Sequence, residues 1–291
     1  MRAPILDSAP SLRALRLVPT LSRPPWGGLR LAALGKGEGV IGESWEVWRE
    51  NEVVGLGRPL GEVVDFPLLV KLLDTRQMLS VQVHPGPVEA RALAGAPHGK
   101  AEAWVVLAAE PGARIAYGLA HELSAEALAE RARSGEIEAD LAWITPQPGD
   151  VIDVPPGTIH AIGPGLLLYE VQEPIDLTWR LYDWGRGREL HLGPACAVAL
   201  RAPLGDPFRH PVPVAPGVER LLESPHFVVE RVQLPAVRHG WEALTVIEGG
   251  AVVDGAPVPV GGTVLLPPGP TPVGGAGVAL SARPGPSTSA R

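Results

Sequence analysis

Four polar side chains in the middle of the chain are of the types that bind a divalent metal ion. Gln82 and His84 are two residues apart, so on a β-strand both would point to one face, with Val83 facing away. Glu102 and His160 follow in segments that we expect to be neighbouring strands of the same sheet. Two imidazoles, a carboxylate and an amide oxygen on one concave face would hold a divalent cation and leave room for water or a substrate.

The residues before His160 indicate how its strand reaches this site. Gly149, then five residues, then Pro155-x-Gly157-x-x-His160 resembles the second sequence signature of cupin β-barrels. The glycines and the proline suit tight turns at the mouth of a barrel. The first cupin signature normally has His-x-His followed by Glu, whereas this chain has Gln82-x-His84.

With this departure, the chain resembles the type I mannose-6-phosphate isomerases in their short bacterial form. The resemblance rests on five blocks in a fixed order, Trp26-Gly27-Gly28 and the segments 41–47, 67–85, 99–104 and 149–186. It implies a cupin fold and an enzyme that interconverts D-mannose 6-phosphate and D-fructose 6-phosphate through a cis-enediol.

The resemblance also implies a metal and its ligands. One Zn²⁺ per chain would be held by Gln82, His84, Glu102 and His160. With two neutral imidazoles, one carboxylate and one neutral amide, the site would keep a net charge near +1. That charge would leave the metal Lewis-acidic towards a sugar oxygen.

Further residues of the same blocks match positions around the substrate. Ser80 and Lys100 match positions that line the pocket, and Lys100 suits a phosphate as a point charge. Arg180 and Asp176 match an arginine placed over the substrate and a carboxylate of the same block, so with Lys100 they are the predicted catalytic residues. Arg186 is the remaining predicted substrate-binding residue.

Composition and charge exclude other classes of function. The 291 residues are 45% hydrophobic and 20% charged, as in soluble globular proteins. A net charge of −7 without a basic cluster argues against a nucleic-acid partner, and no apolar run approaches the roughly 20 residues that span a bilayer. Since the N-terminus lacks the apolar core of a signal peptide and Cys196 is the single cysteine, we expect a cytoplasmic monomer or homodimer that acts on a small sugar phosphate.

The arrangement of turn residues predicts a mainly β protein with two cupin domains. The chain has 35 Gly and 33 Pro, which separate short runs rich in Val, Leu and Ile. We expect a metal-binding domain over 1–202, with a helical insertion at about 122–144 that contains helices over 125–133 and 137–143. A Pro-rich linker over 203–216 would lead to a degenerate cupin domain over 217–291, which lacks a metal.

The second domain shows the strand and turn pattern but no set of ligands. His226 and His239 have no companion Glu at barrel spacing, and Gly249-Gly250 is placed where a cupin would turn. The last ten residues, from Ala282, are expected to fray. In the first domain, Glu43 and Trp45 are expected to scaffold the barrel.

Two alternative functions stay open at this point. His84, Glu102 and His160 alone also match the two-histidine, one-carboxylate triad of non-haem Fe(II) oxygenases, although Gln82 and Lys100 argue against it. A cupin that binds a sugar without catalysis is the other alternative.

Overall fold

The computed structural model describes residues 13–286 and confirms a mainly β protein. Within residues 13–182 the strands are β1 (Leu15–Arg16), β2 (Thr20–Ser22), β3 (Glu43–Val47), β4 (Glu52–Val53), β5 (Arg58–Pro59), β6 (Leu69–Asp74), β7 (Val81–Val83), β8 (Glu102–Ala109), β9 (Ile115–Leu119), β10 (Leu141–Ile144), β11 (Val151–Val154), β12 (His160–Ile162), β13 (Leu166–Gln172) and β14 (Trp179–Tyr182). Within residues 183–286 they are β15 (Phe208–Arg209), β16 (Val212–Ala215), β17 (Val218–Glu223), β18 (Phe227–His239), β19 (Glu242–Val253), β20 (Ala256–Val258), β21 (Thr263–Leu266) and β22 (Pro270–Pro284).

The helices are few and short. They are α1 (Arg30–Ala33), α2 (Pro87–Ala94), α3 (Ala125–Ser134) and α4 (Leu192–Val198), with 3-10 turns at Leu60–Glu62 and Glu136–Asp140. None of the helices formed by residues 13–286 is both long and apolar enough to cross a membrane.

Three sheets and a helical layer are stacked on one another. A five-stranded sheet has the order β10-β9-β12-β7-β14, and a seven-stranded sheet has the order β15-β11-β8-β13-β6-β3-β2. The C-terminal sheet has the order β1-β21-β19-β22-β18-β17-β16, with β20 on β19. The pairings between neighbouring strands are antiparallel, which explains why short Gly and Pro turns suffice to connect most of them.

The seven-stranded sheet is buried on both faces. Towards the five-stranded sheet it packs residues such as Trp104 and Leu168, and towards the C-terminal sheet it packs Leu72 and Tyr169 against Leu280. All six residues of β6 are buried, as the continuous apolar run in the sequence predicts for a central strand.

The outer face of the five-stranded sheet is covered by α3 and α4. Leu128 and Ala132 of α3 are buried against this face. The helix forms where predicted because the Ser124 hydroxyl accepts a hydrogen bond from the Ala127 N–H at 3.1 Å, and Gly135 ends the helix with φ +85°. The second predicted helix, 137–143, is wrong: after one 3-10 turn the chain forms β10, whose hydrogen bonds go to β9.

The first and last parts of the chain contribute to each other's sheets. β1 pairs with β21 and so belongs to the C-terminal sheet. The segment predicted as a linker contains β15, which pairs with β11 in the seven-stranded sheet, and β16, which pairs with β17 in the C-terminal sheet. The predicted domain boundaries stay a prediction, but these pairings tie the two halves together.

Two expectations about the C-terminal sheet are wrong. The strand β19 continues through Gly249 and Gly250 instead of turning there, and these residues pair with Gly277 and Ala276 of β22. A Cβ on Gly249 would lie 2.1 Å from the Ala276 carbonyl oxygen of β22, so only glycine allows this close approach. The end of the chain is ordered further than expected, since Pro284 still pairs with Phe227; residues 287–291 lie outside the description.

Candidate active site and metal centre

The predicted ligands converge between the two sheets of the first half of the chain. Gln82 lies in β7 and His160 in β12, which pair directly in the five-stranded sheet, and His84 follows β7. Glu102 begins β8 of the opposite, seven-stranded sheet. The expectation that Glu102 and His160 share a sheet is therefore wrong: their side chains meet because both sheets turn these faces towards a common interior.

A tight turn holds the two histidines in register. Gly157 has φ +86°, and a Cβ there would lie 2.9 Å from the Val198 carbonyl oxygen, so the position requires glycine. The Gly157 N–H donates to the His84 carbonyl oxygen at 2.8 Å. The same turn that delivers His160 to the interior thus fixes the backbone that carries His84.

His84, Glu102 and His160 are buried, and each places a possible ligand atom within 4.8 Å of those of the other two. The His84 Nε2 atom is 3.4 Å from Glu102 Oε2, and the His160 Nε2 atom is 3.3 Å from Glu102 Oε1. All three side chains are at most 2% exposed. Burying these donors so close together is costly unless something binds to them.

Backbone carbonyl groups fix the tautomer of both imidazoles. The Nδ1 atom of His84 lies 3.0 Å from the Leu177 carbonyl oxygen, and the Nδ1 atom of His160 lies 3.0 Å from the Thr158 carbonyl oxygen. A carbonyl oxygen can only accept, so each Nδ1 carries the proton and each Nε2 presents its lone pair to the interior. This is the tautomer that a metal ligand needs.

The ionisation states also fit a divalent cation. Burial, helped by the charge of Lys100, lowers the pKa of His84 to about 4, and burial likewise lowers the pKa of His160. Burial alone would raise the pKa of Glu102, but Lys100, His84 and His160 together outweigh it and hold that pKa well below its ordinary value. The site therefore offers two neutral imidazoles and one carboxylate at neutral pH, the donor set that zinc and similar ions take.

Gln82 completes the set as the fourth predicted ligand. Its Nε2 atom lies 3.1 Å from His160 Nε2, and its Oε1 atom accepts from the Ser80 hydroxyl at 3.2 Å. The two ends of an amide differ only by rotation about the last bond, and the Ser80 hydroxyl can accept as well as donate. With the amide rotated, its oxygen faces the interior alongside the two imidazoles.

Lys100 lies beside the ligands rather than out in the cavity. Its Nζ atom donates to Glu102 Oε2 at 2.8 Å and lies 3.1 Å from His84 Nε2. The side chain is 4% exposed. The ammonium therefore supplies positive charge next to the carboxylate ligand.

A cavity of about 410 Å³ opens in front of this cluster. Five of the predicted residues line it: Ser80, Gln82, Lys100, Asp176 and Arg180. The volume suits a small polar ligand such as a sugar derivative. The backbones of Arg180 and Gln82 are paired across β14 and β7, so their side chains project from the same face.

Among the predicted catalytic and substrate-binding residues, Arg186 is the one that does not line the cavity. Its guanidinium donates to the Met78 carbonyl oxygen at 2.9 Å and to Asp183 Oδ1 at 2.7 Å, so it is committed to the surrounding loop. Arg188, which sequence reasoning missed, lines the cavity instead. Arg188 lies two residues after Arg186, and nothing in the sequence favoured Arg188 over Arg186 as the cavity residue.

Further missed residues form a charged wall of the cavity. Lys71 Nζ lies 3.1 Å from Glu170 Oε1, 3.7 Å from Glu43 Oε2 and 4.9 Å from the centre of the Trp45 ring. Burial tends to lower the pKa of Lys71, but Glu170 and Glu43 outweigh it and raise that pKa. The expectation that Glu43 and Trp45 only scaffold the barrel is incomplete, since both line the cavity. A single lysine inside the apolar run of β6 was the available signal.

The chain is similar to proteins that carry one activity. It is 42% identical over 133 residues to the mannose-6-phosphate isomerase ManA of Bacillus subtilis, a match that covers 44% of this chain and 42% of that protein. The chain spans about half the length of the curated relatives it matches. No model of a known protein family matches the chain.

Solved structures extend this similarity to nearly the whole fold. A crystal structure of the mannose 6-phosphate isomerase from Bacillus subtilis has a TM-score of 0.82 at 26% identity, with 94% of this chain and 100% of that chain covered. A zinc-bound mannose 6-phosphate isomerase has a TM-score of 0.75 at 16% identity, with 94% and 100% covered, and so shares the fold. The resemblance predicted from the motifs is confirmed: the curated relatives and the structural neighbours are mannose-6-phosphate isomerases.

Proposed function

We propose that this protein is a zinc-dependent isomerase that interconverts D-mannose 6-phosphate and D-fructose 6-phosphate. The observation that carries the proposal is the convergence of His84, Glu102 and His160 at the cavity, with both imidazole lone pairs turned inward. The similarity to mannose-6-phosphate isomerases supports the choice of reaction. The cytoplasmic location and the monomeric or dimeric state stay predictions.

The proposed ligands of one zinc ion per chain are Gln82, His84, Glu102 and His160. Two neutral nitrogens, one carboxylate and one amide oxygen fit this metal, and a structural neighbour is a zinc-bound isomerase. When bound there, zinc would supply a Lewis acid that stabilises negative charge on the sugar oxygens.

The reaction moves a proton between C1 and C2 of the sugar through a cis-enediol, and the cavity offers a carboxylate for this transfer. Glu43 and Glu170 are engaged, since they accept hydrogen bonds from the indoles of Trp45 and Trp104. Asp176 makes no hydrogen bond to another residue within the described part of the chain and is exposed at the cavity. We assign the proton transfer to Asp176 for this reason.

Arginines at the same cavity support a phosphate site. Burial and the neighbouring charge of Arg188 lower the pKa of Arg180, although Arg188 itself is paired with both oxygens of Asp183. The buried Nε atom of Arg180 has no hydrogen-bond partner among the described residues. A phosphate between these side chains, with the Ser80 hydroxyl nearby, would relieve both features.

Lys100 serves the sugar end of the substrate in this proposal. Its ammonium adjoins Glu102 and His84, so it is well placed to stabilise negative charge on a sugar oxygen beside the metal. The phosphate contact predicted for Lys100 and the substrate contact predicted for Arg186 stay predictions. The position of Lys100 Nζ supports its catalytic role more directly.

The deciding experiment follows fructose 6-phosphate formation from mannose 6-phosphate before chelation, after chelation and after zinc is restored. We expect activity to disappear with the metal and to return with zinc. Zinc binding without isomerisation would favour a sugar-binding cupin, and oxygen uptake with added Fe(II) would favour the oxygenase alternative. Either result would overturn the proposal.

A further inference from the structure

A buried carboxylate behind the metal site is bonded to the backbone between Lys100 and Glu102. The Glu173 side chain is 7% exposed, and its Oε2 atom accepts a hydrogen bond from the Ala101 N–H at 3.0 Å. The Glu173 N–H donates in return to the Ala101 carbonyl oxygen at 3.1 Å. Glu173 thus bonds both the N–H and the carbonyl group of Ala101, one residue before a proposed metal ligand.

The second oxygen of this carboxylate contacts the C-terminal half of the chain. The Oε1 atom of Glu173 lies 3.3 Å from Nδ1 of His226, the residue before β18. Sequence reasoning gave His226 no companion Glu because its partner lies in the other half of the chain. The hydrogen bond that His226 donates to Glu173 raises the pKa of His226, and the charge of Asp153 acts in the same direction.

The imidazole of His226 is held by a rigid backbone. The His226 carbonyl oxygen accepts from the Gly285 N–H at 2.8 Å, and the Ser224 hydroxyl accepts from the His226 N–H at 3.2 Å. A Cβ on Gly285 would lie 2.6 Å from the Pro225 carbonyl oxygen, so the two segments are in close contact. The C-terminal sheet therefore presents this side chain to Glu173 from a fixed position.

We propose that Glu173 and His226 are positioning residues for the metal centre. They hold Ala101 in place and with it the carboxylate of Glu102, so the C-terminal sheet sets the affinity of a site to which it contributes no ligand. Groups that orient metal ligands typically change metal affinity or activity by about 10–100-fold when they are removed. This inference rests on the proposed zinc site, and its test measures zinc binding and backbone protection instead of turnover.

The experiment compares Glu173→Ala, Glu173→Gln and His226→Ala with the control His239→Ala, an exposed histidine of β18. The dissociation constant for zinc is measured by competition with a chelator, and hydrogen exchange of the Ala101 amide is measured in the metal-free protein. We expect Glu173→Ala to weaken zinc binding by about tenfold and to speed exchange of the Ala101 amide. His226→Ala should act in the same direction by a smaller factor, and His239→Ala should match the wild type.

The conservative variant separates positioning from folding. Glu173→Gln keeps an oxygen that can accept from the Ala101 N–H, so it should bind zinc more tightly than Glu173→Ala. If Glu173→Ala fails to fold, His226→Ala still carries the test. Wild-type zinc affinity in His226→Ala and in folded Glu173→Ala, with only a lower melting temperature, would overturn the inference. Failure of the wild-type protein to bind zinc would instead overturn the proposed function.

Discussion

Two regions of the molecule each bury a cluster of charged side chains. One region lies between the five- and seven-stranded sheets and holds the candidate metal site, and the other lies in the C-terminal sheet. In the first, Glu102 lies beside two neutral imidazoles whose Nε2 lone pairs point at a common region. In the second, Glu230 and Glu242 lie beside the guanidinium of Arg238. The two clusters differ in how their buried groups are paired. Arg238 bonds both of its carboxylates, whereas in the first cluster the imidazole lone pairs contact only Lys100 and the amide of Gln82.

In the C-terminal cluster the carboxylates are already satisfied. Arg238 Nη2 lies 2.7 Å from both Glu230 Oε2 and Glu242 Oε2, and the Ser281 hydroxyl also donates to Glu242. Burial tends to lower the pKa of Arg238, but the hydrogen bonds that it donates to Glu242 and Glu230, with the charges of these carboxylates, outweigh burial and raise that pKa. Arg238 and Glu230 are eight residues apart in β18, about 26 Å along a straight strand, so the strand must bend to bring them together.

The difference teaches how to separate a site from a structural cluster. A charge cluster whose donors and acceptors bond one another stabilises the fold. Imidazoles whose Nδ1 atoms are bonded to backbone carbonyl groups, with their Nε2 lone pairs directed at a common point, are instead oriented for a ligand. The predictions below follow this distinction, from the largest expected effect to the smallest.

Removal of either imidazole should abolish the first site. His84→Ala or His160→Ala is expected to lose zinc and isomerase activity together. Zinc affinity and activity should each fall by more than the roughly 100-fold seen when groups that support a metal ligand are removed. Metal content and fructose 6-phosphate formation are measured on the same preparations. Full activity in a metal-free His84→Ala protein would contradict the proposed role of the cluster.

Removal of the cation from the second cluster should affect stability alone. Arg238→Met removes the nearest cation from two buried carboxylates and leaves Glu242 with Ser281 and Glu230 with the more distant Arg283, which we expect to lower the free energy of unfolding by about 3–5 kcal/mol. Urea unfolding measures the loss, and zinc content per folded molecule should stay unchanged. Arg231→Met is the matched control, since its pair with Glu219 is about a third exposed and should contribute about 0–1 kcal/mol. Equal losses of unfolding free energy in Arg238→Met and Arg231→Met would contradict the stabilising role of the Arg238 cluster.

Substitutions of the arginines at and near the cavity should lower kcat/KM by different amounts, according to the position of each side chain. A charge-assisted hydrogen bond contributes about 1.5–3 kcal/mol, so Arg180→Met should lower kcat/KM by at least about tenfold without changing zinc content. Arg188→Met should act in the same direction. Arg186→Met should have a smaller effect because Arg186 does not line the cavity, although both side chains donate to Asp183. A larger loss for Arg186→Met than for Arg188→Met would restore the role predicted from the sequence.

The contact between the two halves should depend weakly on pH. The pKa of His226 is higher in the folded state, so its pair with Glu173 stabilises fully below the unfolded pKa of about 6.5 and is lost as pH rises through the folded pKa. The difference in unfolding free energy between wild type and His226→Ala should therefore be larger at about pH 5 than at about pH 9. Urea unfolding at both values checks the sign, and a difference that grows with pH would contradict the pairing.

The sequence by itself determined the residues of the metal cluster and the mainly β fold. Residue type, local spacing and the resemblance to a known family singled out Gln82, His84 and His160, because strand alternation and the glycine turn are local properties; the ligand role of Gln82 stays a prediction. The helix after Ser124 and the buried strand β6 were predictable for the same reason. Periodicity and capping depend on neighbours along the chain.

Only the tertiary structure decided which sheet carries Glu102, that Arg188 and not Arg186 lines the cavity, and that Glu173 meets His226. These facts depend on how sheets stack and on contacts between residues far apart in the sequence. Local sequence patterns cannot predict these contacts, because a strand with a carboxylate has the same local pattern whether that carboxylate faces a metal site, an arginine or the other half of the chain.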